Sequence, residues 1–126
     1  MKQVIIDTNI FIRFYLKDIA DQAEKAKELL ASIEKKEKVG LISVLVINEL
    51  IWILEHYYKI PRSKYIPKLL QILAYKQIKI IEITKQRIVN ILNSMIKQPI
   101  DFTDLYLLSI ANSYKIFSFD KDLKKE

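Results

Sequence analysis

The sequence predicts one α/β domain over residues 1–126, with strands and helices alternating around a central parallel sheet. Three observations predict it. Short β-branched runs at residues 3–6, 39–42, 78–83 and 115–119 alternate with stretches of helical apolar spacing. One Gly and three Pro leave little material for long loops, so connections are short. Asp7, Glu49, Asp104 and Asp120 each stand where a strongly apolar run stops or is interrupted, as expected at the edge of a buried sheet.

Taken in order, residues 3–6 read as a strand buried on both faces and closed by Asp7. Residues 9–17 suit a short helix or turn. From residue 19 to about residue 36, Ala23, Ala26, Leu29, Leu30 and Ile33 recur at helical spacing, and Asp18 or Asp21 is placed to cap the start. Residues 39–42 read as a second strand, weakened by Gly40. Ser43 then caps a long apolar helix running to about residue 58. Pro61 ends that segment, and Arg62 or Ser63 opens a helix towards Ala74, with Pro67 tolerated in its first turn. Residues 78–83 form a third strand, and Thr84 caps a helix to about Lys97. Asp101 caps a helix over residues 102–113, and residues 115–119 form a fourth strand before a charged tail. No internal repeat, linker or second domain interrupts this alternation.

Composition removes several function classes. There is no Cys, so a disulfide framework, a thiolate nucleophile and Cys-ligated zinc are excluded. With one His, a nucleophilic triad is improbable, and His56 itself reads as packed or surface-exposed rather than catalytic. A single Gly cannot build a phosphate-cradling loop. No apolar stretch approaches the roughly 20 residues of a membrane helix, and MKQVIID carries no signal-peptide cleavage site. The expected location is cytoplasmic, with no membrane partner. A net charge of +6 and pI of about 9.4, beside clustered carboxylates, suit a polyanion handled through a metal.

Each carboxylate has a plainer reading. Asp7 could simply cap the next helix, Glu49 could pair with a Lys or Arg, and Asp101 could be a cap rather than a ligand. Asp122 reads as a cap or surface charge. Glu49 is the most telling, because its helix is apolar almost all round and a buried unpaired carboxylate is expensive. Two carboxylates about 4 Å apart repel by roughly 4 kcal/mol at an effective dielectric near 20, so a shared acidic pit raises pKa values or binds a cation. Oxygen-only ligands favour Mg²⁺ or Mn²⁺ over zinc.

VIIDTNIFIRFYL, ISVLVINELIWIL, DFTDLYLLSIA and FSFDKDL, in that order, resemble PIN-domain ribonucleases, most closely VapC-type toxins of toxin–antitoxin pairs. The resemblance covers essentially the whole chain. It implies a PIN-like fold with a central parallel sheet of about four to five strands, and Mg²⁺- or Mn²⁺-dependent endonucleolytic cleavage of single-stranded or loop RNA. Asp7, Glu49, Asp104 and Asp120 match the family's acidic quartet, with Asp101 a possible fifth ligand. Asn9 and Ser118 match polar positions that orient the first and last carboxylates. It further implies a homodimer and a small VapB-type antitoxin whose segment fills a groove and blocks the site.

Arg13, Lys17, Lys115 and Lys121 are candidate phosphate contacts, whereas Lys35, Lys36 and Lys38 better complement a helix C-terminus. Trp52, Tyr57, Tyr58, Tyr65 and Tyr75 are candidates for a partner surface, though core packing is the default for Trp52. Attack by an activated water, rather than the ribose 2′-hydroxyl, gives 5′-phosphate and 3′-hydroxyl ends. The alternatives are a PIN-domain RNA-processing nuclease without an antitoxin, and a catalytically silent interaction module. Receiver-like and haloacid-dehalogenase-like readings fit poorly, since the third strand ends in Thr84 with only Glu82 inside, and Asn9 stands where a second aspartate is needed.

Overall fold

Apolar runs too short to cover themselves must pair and be roofed by helices, and the computed structural model shows that arrangement for residues 1–111 and 114–119, the residues it describes. In chain order the elements are β1 (Lys2–Ile5), α1 (Thr8–Leu16), α2 (Ala20–Glu34), β2 (Lys38–Ile42) and α3 (Val44–Trp52). A π-helical turn over Ile53–Tyr57 continues α3, followed by α4 (Arg62–Leu73), β3 (Ile78–Ile80), α5 (Lys85–Lys97) and α6 (Phe102–Ile110). The strands pair in parallel in the order β1-β2-β3, with Ile5 opposite Leu41, and Ile42 opposite Ile80.

Ile6, Ile33, Ile42, Ile47, Leu50 and Leu54 meet Ile66, Ile78, Ile88 and Leu92 in one fully enclosed core. Helix α1 packs on α2 and α3, α4 on α5, and α6 on α5 and α3. No helix among the described residues is long and apolar enough to cross a membrane.

Gly40 looked like a weakness in β2, but packing requires it. A Cβ there would lie 2.8 Å from the Cδ1 atoms of Ile6, Ile33 and Ile78. All three methyls belong to fully buried side chains, so they have no open space to retreat into. Gly40→Ala is expected to destabilise the fold by about 1–3 kcal/mol, read from chemical denaturation.

Several expectations need correction. The sheet has three strands among the described residues, because residues 115–119 form no ladder. Phe117 and Phe119 there contact each other edge to face at 6.3 Å, and both are exposed. Strand β1 therefore lies at an edge of the described sheet, and Lys2, Gln3 and Ile5 are exposed rather than buried on both faces. Neither Asp18 nor Asp21 caps α2: its N-cap is Ile19, and Asp18 pairs with Arg13. The long helix expected to residue 58 changes at Trp52 into the π turn, where Tyr58 N–H donates to Ile53 O at 3.1 Å. Trp52 is 60% exposed, whereas Tyr65 is completely buried.

Helix α3 is fixed at its start by a group that the sequence reading passed over. Glu82, just beyond β3, accepts from Ser43 Oγ at 2.5 Å and from Val44 N–H at 2.8 Å, placing a carboxylate on the positive end of α3. Partial burial pushes the Glu82 carboxyl up, but these hydrogen bonds outweigh it and hold its pKa below the ordinary 4.5. A depressed pKa means stability that is present above 4.5 and lost as pH falls through the lower folded value. Glu82→Gln should therefore lower stability at neutrality and converge with the wild type in acid, flattening the limb of the stability–pH curve below pH 4.5.

Candidate active site

The site begins where β1 stops. Ile6 N–H still donates to Leu41 O at 2.9 Å, and Ile81 N–H to Ile42 O at 3.0 Å, so all three strands end along one edge. Asp7 leaves that edge in an extended conformation and becomes the N-cap of α1, its Oδ1 accepting from Thr8 N–H at 2.8 Å. Thr8 is the buried polar residue of the described structure, 3% exposed. Its hydroxyl donates to Glu49 Oε1 at 2.5 Å. One residue thus grips two carboxylates, with its amide on Asp7 and its hydroxyl on Glu49.

Glu49 is exposed rather than buried in the helix interior, because α3 turns that face towards the sheet edge while Ile47, Leu50 and Ile51 occupy the core. Helix α6 meets α3 here: Thr103 Oγ1 donates to Asn48 Oδ1 at 3.2 Å. Asp104 follows in the first turn of α6 and is half-buried. The structure therefore joins Asp7 to Glu49 through Thr8, and ties the turn carrying Asp104 to the residue before Glu49. Among the described residues no three acidic or histidine side chains already form a cation cluster. Asp120, Lys121 and Asp122 lie outside the described residues. Asn9 is exposed in the first turn of α1, and Ser118 is half-buried.

The donors present suit a hard cation. Asp7 and Glu49 each commit one oxygen to Thr8, and the second oxygen of each belongs to an exposed side chain. Oxygen ligands without thiolate favour Mg²⁺ or Mn²⁺. The only histidine, His56, instead lies against the Trp52 ring at 5.2 Å.

Asp101 occupies the N-cap position of α6 without a side-chain cap bond, and its Oδ1 pairs with Arg62 Nη2 at 3.3 Å. Arg62 does more. Its Nε meets Glu55 Oε2 at 2.9 Å, and its Nη1 donates to the carbonyls of Met95, Gln98 and Ile100 at 3.2, 3.0 and 2.8 Å. Tyr65 donates its hydroxyl to the same Glu55 oxygen, and burial first, then that bond, pushes the phenol pKa far up. This clasp holds the α5–α6 connection from which Asp104 is carried.

Arg13 spends its guanidinium on both oxygens of Asp18 and on Gln22, each at 3.1 Å. Lys115 is exposed. Sequence reasoning overlooked Thr8, Glu82 and Arg62. Only Thr8 had a visible signal, as a hydroxyl directly after a strand-ending acid. Thr8→Val keeps the buried shape but removes the Glu49 bond, so it is expected to destabilise by about 1 kcal/mol in denaturant melts and to weaken Mn²⁺ binding. Thr8→Ser should restore much of both.

A parallel α/β sheet that brings Asp7 and Glu49 together at the carboxyl edge of its strands places them where open α/β folds put their ligand sites. The family comparison is more specific. The PIN domain profile matches residues 4–125, so the chain belongs to the PIN domain family. PIN domains are a nuclease fold family whose members usually use divalent metals. No curated protein and no solved structure gives a significant match.

Proposed function

We propose that this protein is a Mg²⁺- or Mn²⁺-dependent endoribonuclease that cleaves single-stranded or loop RNA, acting as the toxin of a VapBC-type pair. The observation that carries the nuclease reading is the joint grip of Thr8 on Asp7 and Glu49 at the strand edge of a PIN domain. Asp7, Glu49 and Asp104 hold the cation, with Asp120 as the fourth ligand and Asp101 as an additional candidate. A bound Mg²⁺ or Mn²⁺ neutralises charge at phosphorus and lowers the pKa of the attacking water. One carboxylate accepts that water's proton, and Thr8 keeps Asp7 and Glu49 from swinging apart. Asn9 and Ser118 orient the flanking carboxylates, Lys115 and Lys121 contact substrate phosphates, and Arg13 joins them by releasing Asp18.

The partner reading rests on surface. A cavity of about 410 Å³ lies between α1, α3 and α4, walled by Phe14, Tyr15, Leu50, Leu54 and Tyr75 with Lys68 at its side. Such a groove suits an apolar segment of a small antitoxin in the cytoplasm, and the working form is a homodimer. Growth arrest on expression, relieved by the product of a neighbouring gene for a small DNA-binding protein, tests the toxin assignment.

The decisive experiment is cleavage of single-stranded RNA with and without EDTA, followed by end-group analysis. The expected result is EDTA-sensitive cutting that leaves 5′-phosphate and 3′-hydroxyl ends. Cutting that persists in EDTA, or cyclic phosphate ends, would overturn the mechanism.

A further inference from the structure

Helix α3 buries Leu50 and Ile51, and the π turn buries Leu54, yet between them Trp52 stands 60% exposed. Leaving an indole in water forgoes the large benefit of burying it, so its outward position calls for an explanation. Trp52 is not isolated. The His56 ring lies against it at 5.2 Å and a 35° tilt, and Asn48 falls one helical turn before it. The turn that sets His56 beside Trp52 is π-helical, a distortion frequent at functional sites.

This aromatic stripe runs to the candidate active site. Asn48 is bonded to Thr103, which precedes Asp104, and Glu49 lies three residues before Trp52. Residues three apart on a helix have Cβ atoms about 5–6 Å apart, a neighbouring distance on the same face. Trp52, His56, Asn48, Phe102 and Thr103 wall a cleft of about 90 Å³. That volume is too small to enclose a whole ligand, which usually needs about 300 Å³ or more, so an occupant must lie on the open rings. Glu55 and Asp101 on the same wall share the single guanidinium of Arg62, so the wall keeps a residual negative charge that repels a phosphate and leaves an uncharged base as the better occupant.

We propose that Trp52, backed by His56, is a stacking platform for one unpaired nucleobase, placing the adjoining phosphate over the Asp7–Glu49–Asp104 carboxylates. The proposal deepens the nuclease reading and rests on it for its substrate. It makes single-strandedness a requirement of binding, because only an unpaired base can offer its full face to the ring. Asn48 and Thr103 supply donors and acceptors to the edge of the stacked base.

The chain contains one tryptophan, so its emission reports on this position alone. The experiment titrates the EDTA-treated protein with unlabelled oligouridine and follows Trp fluorescence. Fluorescein-labelled oligouridine gives the affinities of variants by anisotropy. Saturable quenching by the single strand, and none by duplex RNA, is expected. Trp52→Ala should weaken binding by about tenfold, equivalent to about 1.4 kcal/mol, while Trp52→Phe retains most of the affinity and Tyr57→Ala leaves it unchanged.

Absence of saturable quenching overturns the platform, as does wild-type affinity in Trp52→Ala. Emission that shifts with protein concentration alone also overturns it, by placing Trp52 between copies of the chain. Because Trp52→Phe keeps an aromatic face, comparing it with Trp52→Ala separates stacking from folding. Quenching without metal-dependent cleavage sinks the nuclease reading and leaves the platform standing. Cleavage without quenching does the reverse.

Discussion

Asp7→Asn is expected to lower RNA cleavage by at least about 100-fold while leaving the fold intact. The substitution separates charge from structure unusually well. Asp7 caps α1 through an oxygen that accepts from Thr8 N–H, and an Asn side chain offers the same oxygen. Stability should therefore change by less than about 0.5 kcal/mol, whereas Asp7→Ala, which loses the cap, should be about 1 kcal/mol less stable. Glu49→Gln follows the same logic, because its amide oxygen can still accept from the Thr8 hydroxyl. In the wild type, Mn²⁺ at one hundred times its dissociation constant should add about 2.7 kcal/mol of stability by mass action. In Asp7→Asn and Glu49→Gln that gain should largely vanish. Thermal melts with and without Mn²⁺, beside a cleavage assay, check both halves. Wild-type cleavage in Asp7→Asn would remove that residue from the site.

The part of this site legible in the sequence is the part written in contrast. Asp7 after VII and Glu49 within LVINELIW stand out because burial and charge conflict there, and periodicity places them on elements whose ends coincide. The same reasoning misjudged their surroundings. An apolar helix suggested a buried Glu49, yet α3 has a sheet-edge side that the sequence cannot orient, and Glu49 and Trp52 both emerge on exposed faces. Glu82 and Arg62 were invisible for a different reason. Each acts through a partner distant in the chain, Glu82 on Ser43 or Arg62 on Ile100, and such pairings leave no local pattern. Residues 115–119 have strand composition but form no ladder, since composition states only a preference for extended chain.

Arg62→Ala should be the most destabilising single change outside the apolar core, by about 2–4 kcal/mol in urea denaturation. Removing one partner of a buried pair costs about 3–5 kcal/mol, and the cost here is smaller because both side chains keep some exposure. Arg62 and Glu55 are 21% and 18% exposed. The loss spreads beyond that pair. Three carbonyls of the α5–α6 connection lose a charged donor, and the Glu55 oxygen shared with Tyr65 loses its counterion. Arg62→Lys should recover little, because one ammonium cannot replace a fork that reaches Glu55, the carbonyls and Asp101 together. Gly40→Ala supplies the control, since it strains the sheet core without touching α6. If the clasp positions the turn that carries Asp104, Arg62→Ala should lose more Mn²⁺-induced stabilisation than Gly40→Ala at matched stability. Equal losses in the two variants would reduce Arg62 to a structural fastener with no bearing on the metal.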